Sequence, residues 1–198
     1  MKFSGREVFD LAAAWVALGV AFTFFFEPAA RAFDVGAIVS FLPVSMGTVG
    51  VAFLLHELAH KVVAVRFGQI AEFRADYGML FVAVMSGLAG FLFAAPGAVH
   101  HRGRITLREN GLISLAGPVT NILLMVPFGA LALSGVGGLA GVGVLGVGIN
   151  GFLAAFNMIP YGPLDGKTVW RWNKPVYLLV FLPSAAFVVW MLTGTPGF

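Results

Sequence analysis

The sequence predicts an all-α polytopic membrane protein with about five transmembrane helices and one re-entrant hairpin. Three observations carry this. Of the 198 residues 59% are hydrophobic and only 11% charged, about half the charged share of a soluble domain. Apolar runs of about twenty residues recur, long enough to cross a bilayer core. The basic residues gather in four clusters, Lys2/Arg6, Lys61/Arg66/Arg74, Arg102/Arg104/Arg108 and Lys167/Arg171/Lys174, and their sidedness decides how many segments cross. A plain six-helix bundle is the alternative.

In chain order, a first span is expected over Val8–Phe26, ended by Glu27-Pro28. Lys2 and Arg6 before it resemble the start of a secretory signal, but the apolar character of the rest favours a retained span. A second helix is expected from about Val44 to Gly68, with Pro43 marking an irregular start. Gln69–Asp76 is polar and lacks helical periodicity. Gly78–Val99 is apolar but broken by Gly87, Gly90, Pro96 and Gly97. If this segment crossed, the second and third basic clusters would lie on opposite sides. If it enters and returns, all four are cytoplasmic, as the positive-inside rule asks. Further spans are expected over Gly111–Leu133, Val136–Ile159 and Val176–Leu192, with a broken backbone from Pro160 to Gly166. This places the N-terminus inside and the C-terminus outside.

The chain has no cysteine, so any metal must use His, Asp or Glu. The net charge of +3 sits in loops and reads as topology information, not as a nucleic-acid footprint. Gly135–Gly151 holds eight glycines in seventeen residues. Close helix packing is the expected reason, for instance at Gly137 and Gly141 one turn apart.

His56-Glu57-Leu58-Ala59-His60 has the spacing of a zinc-binding helix. Residues four apart share one face, so both imidazoles reach one ion. Glu57 lies near enough to take a proton from water activated there. Three ionisable residues in five positions of an apolar helix are costly without a common partner. A catalytic zinc usually has a third protein ligand. Leu164-Asp165-Gly166 offers one, the alternative being a simple turn aspartate.

These motifs resemble those of the site-2 protease family of intramembrane zinc metalloproteases. His56, Glu57 and His60 match its HExxH; Asn157 to Gly166 match its Asn-x-x-Pro-x-x-x-Leu-Asp-Gly; and Gly117-Pro118-Val-Thr-Asn121 resembles its Gly-Pro-x-x-Asn segment. The resemblance implies a single membrane-embedded metalloprotease domain over 1–198, a minimal core without the PDZ or CBS domain of other members. It implies one catalytic zinc ion held by His56, His60 and Asp165, with Glu57 as general base. It also implies that Asn157 helps hold the substrate backbone. Asn121 stands between a packing role and a site contact. A strand near Phe91-Leu-Phe-Ala-Ala95 is expected as a clamp for unwound substrate, which makes Phe91 and Phe93 candidate contacts. The expected partners are single-span membrane proteins and the lipid bilayer. The rivals are a membrane metal transporter or sensor, which does not need Glu57, and an inactive substrate-binding scaffold, which the intact Glu57 opposes.

Overall fold

A computed structural model describes residues 2–194. Nine α-helices and two strands are present among them: α1 (Gly5–Phe26), α2 (Pro28–Arg31), α3 (Val35–Ser45), α4 (Val51–Arg66), β1 (Ile70–Ala75), α5 (Tyr77–Leu88), β2 (Gly97–Arg102), α6 (Leu107–Ala132), α7 (Gly137–Asn157), α8 (Asp165–Trp172) and α9 (Lys174–Gly194). Five stretches are long and apolar enough to cross a bilayer: α1, the continuous helical run Val35–Arg66, α6, α7 and α9. The protein is therefore an all-α polytopic membrane protein with a small two-stranded sheet. The chain divides into two compact units. One comprises Met1–Leu54 and Ala71–His100, the other Leu55–Ile70 and His101–Phe198.

In the first unit, Ser4 caps α1 by accepting the Glu7 amide N–H at 3.1 Å. Trp15 then inserts its ring against Gly50, where a Cβ would lie 2.2 Å from the indole Cδ1. Its Nε1–H donates to the Met46 carbonyl at 2.9 Å. The irregularity expected at Pro43 lies here instead. Pro43 is inside α3, and the helix widens into a π turn over Met46–Gly50. The Met46 carbonyl, which already accepts the Val51 N–H, takes Trp15 as a second donor.

α5 has 12 residues, about 18 Å at 1.5 Å per residue, too short for a core of about 30 Å. Its N–H at Asp76 donates to the Pro96 carbonyl at 3.1 Å, so the two ends of the 77–95 segment lie side by side. A segment that returns to its own start does not cross, and the strands leaving that point, β1 and β2, are paired neighbours. The re-entrant hairpin is thus present and the six-helix bundle is not. The strand itself is displaced from its expected place. Phe91–Ala95 is irregular, and β2 begins at Gly97. The reason is local: the Phe91 N–H donates to the Ser86 carbonyl and the Phe93 N–H to the Ser86 hydroxyl, so these donors close α5 and do not serve a ladder. Gly97, at φ 146°, passes so close to β1 that a Cβ would lie 2.3 Å from the Arg74 carbonyl oxygen.

β1 is fastened to α1 by two buried carboxylates. Glu7 accepts the Phe73 N–H at 3.0 Å. Asp10 accepts the Tyr77 hydroxyl at 2.5 Å and pairs with Arg74 at 3.5 Å. Charges buried this deeply persist only when partnered.

In the second unit, Thr106 and Glu109 form a capping box that starts α6. α6 and α7 lie against one another, and three glycines of α7 allow close approach to its neighbours. Of these, Gly143 and Gly146 face α6, where a Cβ would meet the Ala132 nitrogen at 2.2 Å and the Phe128 ring at 2.2 Å, and the third, Gly151, faces α9, where a Cβ would meet the Phe187 ring at 2.2 Å. Gly137 and Gly141, the expected packing pair, meet nothing within 4 Å. They lie on the opposite face of α7 from Gly143 and Gly146. After α7, Pro160, Gly162 (φ 61°) and Pro163 break the helix. α8 then begins at Asp165 and presses back on α7, since a Cβ at Gly166 would lie 2.1 Å from the Met158 carbonyl oxygen. Met158, Val169 and Tyr177 form the core beneath it, with Trp172 packed on them. Trp190 of α9 is exposed.

Candidate active site

The whole site lies in the second unit. His56 and His60, one turn apart on α4, set their rings 4.6 Å apart and nearly perpendicular. Both are buried, at 5% and 8% exposure, as is Glu57 at 7%. Each imidazole is held from behind at Nδ1: His56 by the Asn121 side-chain oxygen at 2.6 Å, and His60 by the Ile113 carbonyl at 2.7 Å. Both Nε2 atoms then face Asp165, whose Oδ2 is 3.3 Å from each. Asp165 reaches them because α8 begins there and Gly166 lets that first turn sit against Met158.

This arrangement fits a metal ion. Ligand bonds of about 2.0–2.1 Å at tetrahedral angles place neighbouring ligand atoms about 3.3–3.4 Å apart, which is the separation seen between Asp165 and each imidazole. Ligand atoms of His56, Glu57 and His60 also lie within 4.8 Å of one another, so Glu57 is close enough to act beside the ion.

The other expected residues are placed differently. Asn121 is fully buried and uses its amide on His56 and Asn150, so it supports a ligand from behind and has no surface for a substrate. Asn157 is the last residue of α7, half-buried, and its amide donates to the Leu153 carbonyl at 3.0 Å. Phe91 and Phe93 belong to the first unit and are exposed, at 58% and 57%.

The chain is similar to a known protein over nearly the full length of both. One from Methanocaldococcus jannaschii, named "Putative zinc metalloprotease MJ0611", is 38% identical, the match covering 96% of this chain and 97% of that protein. The chain belongs to the site-2-protease-like family of zinc metalloproteases. Relatives of this family described in the same words are YwhC of Bacillus subtilis and Rip3 of Mycobacterium tuberculosis. YwhC is 29% identical over 77% of this chain and 86% of its own length. Rip3 is 34% identical over 61% of this chain and 28% of its own length. No protein-family profile and no solved structure matches the chain.

In this site-2-protease-like chain one residue of the site had no role assigned from sequence. Gly117 passes directly over the two imidazoles, and a Cβ there would lie 2.4 Å from His56 Nε2 and 2.5 Å from His60 Nε2. Ile113, Gly117 and Asn121 recur every four residues and so form one stripe of α6. The first holds His60, the last holds His56, and the middle one leaves space at the nitrogens that face Asp165. Its signal in the sequence was a glycine in mid-span beside Pro118. Gly117→Ala should therefore weaken zinc binding while leaving the helices intact. Overpacking of this kind costs about 1–3 kcal/mol, which is about 5- to 140-fold in affinity. A zinc titration of the purified variant, with helicity followed by circular dichroism, checks it.

Proposed function

We propose that the chain is an intramembrane zinc protease that hydrolyses peptide bonds within the transmembrane segments of single-span membrane proteins. The observation that carries this reading is the convergence of His56 Nε2, His60 Nε2 and Asp165 Oδ2, with Glu57 beside them, on a helix that belongs to an apolar 32-residue run. Ionisable groups at such depth are expensive and are kept for chemistry.

His56, His60 and Asp165 would hold the ion. Zinc bound there supplies Lewis acidity, activating water and polarising the scissile carbonyl. Glu57 takes a proton from the attacking water and delivers it to the leaving amine. The burial of His56, Glu57 and His60 strengthens these charge interactions, because little bulk water competes with them. Substrate must unwind locally, since the carbonyls of an intact helix are already hydrogen-bonded. Asn157 is proposed to hold the substrate backbone, and the Phe91–Phe93 segment to contact it. With α5 returning to its own side, the basic clusters support a cytoplasmic N-terminus and an extracytoplasmic C-terminus, within one membrane-embedded protease domain.

The test is cleavage of a single-span protein co-reconstituted with the purified chain in liposomes. Cleavage should stop when a chelator removes zinc and return when zinc alone is added back. Cleavage that proceeds at an undiminished rate in metal-free protein would refute a metalloprotease.

A further inference from the structure

We infer that the Gly146 carbonyl, acting through Asn150 and Asn121, sets the tautomer of His56 and so presents its Nε2 lone pair to zinc. A carbonyl can only accept, so at Gly146 the Asn150 side chain must offer its NH2, which it does at 2.9 Å. That leaves the Asn150 Oδ1 facing Asn121, which must offer its own NH2 in turn, at 2.9 Å. The Asn121 Oδ1 is thereby aimed at His56 Nδ1, at 2.6 Å. An amide oxygen can only accept, so His56 carries its proton on Nδ1, and Nε2 is left bare toward Asp165 and the ion.

The chain of amides lies wholly in the protein interior. Asn121 and Asn150 are both 0% exposed, so bulk water cannot substitute for a missing link. His60 needs no relay, because Ile113 gives it a backbone carbonyl directly. At His56 the acceptor is a side-chain amide, which could present either end. Asn150 is what removes that choice. It touches neither substrate nor metal and acts as a positioning residue, which explains a second buried asparagine on an otherwise apolar face of α7. A metal ligand held in one tautomer by an outer hydrogen bond is more basic and better oriented.

The inference rests on zinc binding at His56 and not on where substrate is cut, so it is tested by zinc affinity and nuclear magnetic resonance of zinc-loaded protein. With 15N-labelled histidine, His56 and His60 should each show a ligated Nε2 and a hydrogen-bonded Nδ1–H. Ligation of His56 through Nδ1 would overturn the inference without any variant. Asn121→Leu should lower zinc affinity about 10- to 100-fold and abolish the slowly exchanging His56 Nδ1–H while sparing that of His60. Asn150→Leu should cost about 5-fold, the worth of one neutral hydrogen bond. Asn121→Asp supplies an acceptor that needs no instruction. In that background Asn150→Leu should cause no further loss. An equal loss in both backgrounds would mean that Asn150 acts by packing alone and would overturn the relay. Parent protein that binds no zinc at all would instead refute the metalloprotease reading.

Discussion

Glu57→Gln should abolish measurable proteolysis while leaving zinc stoichiometry near that of the parent. Glu57 neighbours both imidazoles, with ligand atoms of the three residues within 4.8 Å. In the proposed site, however, the third ligand position falls to Asp165, 3.3 Å from both Nε2 atoms. Glutamine keeps the shape and polarity of the side chain but has no basicity. Loss of a general base costs about 10²–10⁴-fold in rate, enough to remove detectable turnover from a slow protease. Bound zinc and cleavage are to be measured on the same preparation. Zinc loss matching that of His56→Ala would make Glu57 a ligand and leave the base unassigned.

Asp165→Ala should lose both zinc and activity, whereas Asn157→Ala should lose mainly activity. Asp165 meets both imidazoles, and its backbone is anchored by the contact of Gly166 with Met158. Removing a direct ligand should lower affinity by more than about 100-fold, the upper end of what an outer hydrogen-bond partner costs. Asn157 lies on the last turn of α7 with its amide on the Leu153 carbonyl, so its removal leaves the ligand set intact. Zinc titration of the two variants separates the roles. Parent-like affinity in Asp165→Ala would place the third ligand elsewhere.

The helices were legible in the sequence because apolar length and charge-poor runs are set by the bilayer. The expected Gly111–Leu133 and Val136–Ile159 correspond to α6 and α7 within a few residues. The hairpin was legible through charge, since only a returning segment keeps Arg74 and Arg102 on one side. What stayed hidden depends on contacts between residues far apart in the chain. The π turn at Met46–Gly50 meets Trp15, 31 positions earlier, and no local pattern announces it. The family resemblance placed a strand near Phe91–Ala95, but Ser86 takes the Phe91 and Phe93 donors, and Gly97–Arg102 forms β2. At the site, the spacing of His56 and His60 identifies a shared face by helix geometry alone. The roles of Gly117 and Asn150 need the knowledge that α6 runs over α4 and that α7 backs α6. Asn121 was recognisable as polar and mid-span, yet only the distance of 2.6 Å to His56 turns it from a substrate contact into a support.

The central claim concerns the place of the cut. Mass spectrometry of both fragments released from a single-span substrate in liposomes locates the hydrolysed bond. Hydrolysis by the zinc-loaded protein should fall inside the substrate's apolar span, with no such fragments formed by Glu57→Gln. A cut confined to the polar residues outside the span, equally efficient when the span is replaced by a soluble peptide, would contradict an intramembrane protease.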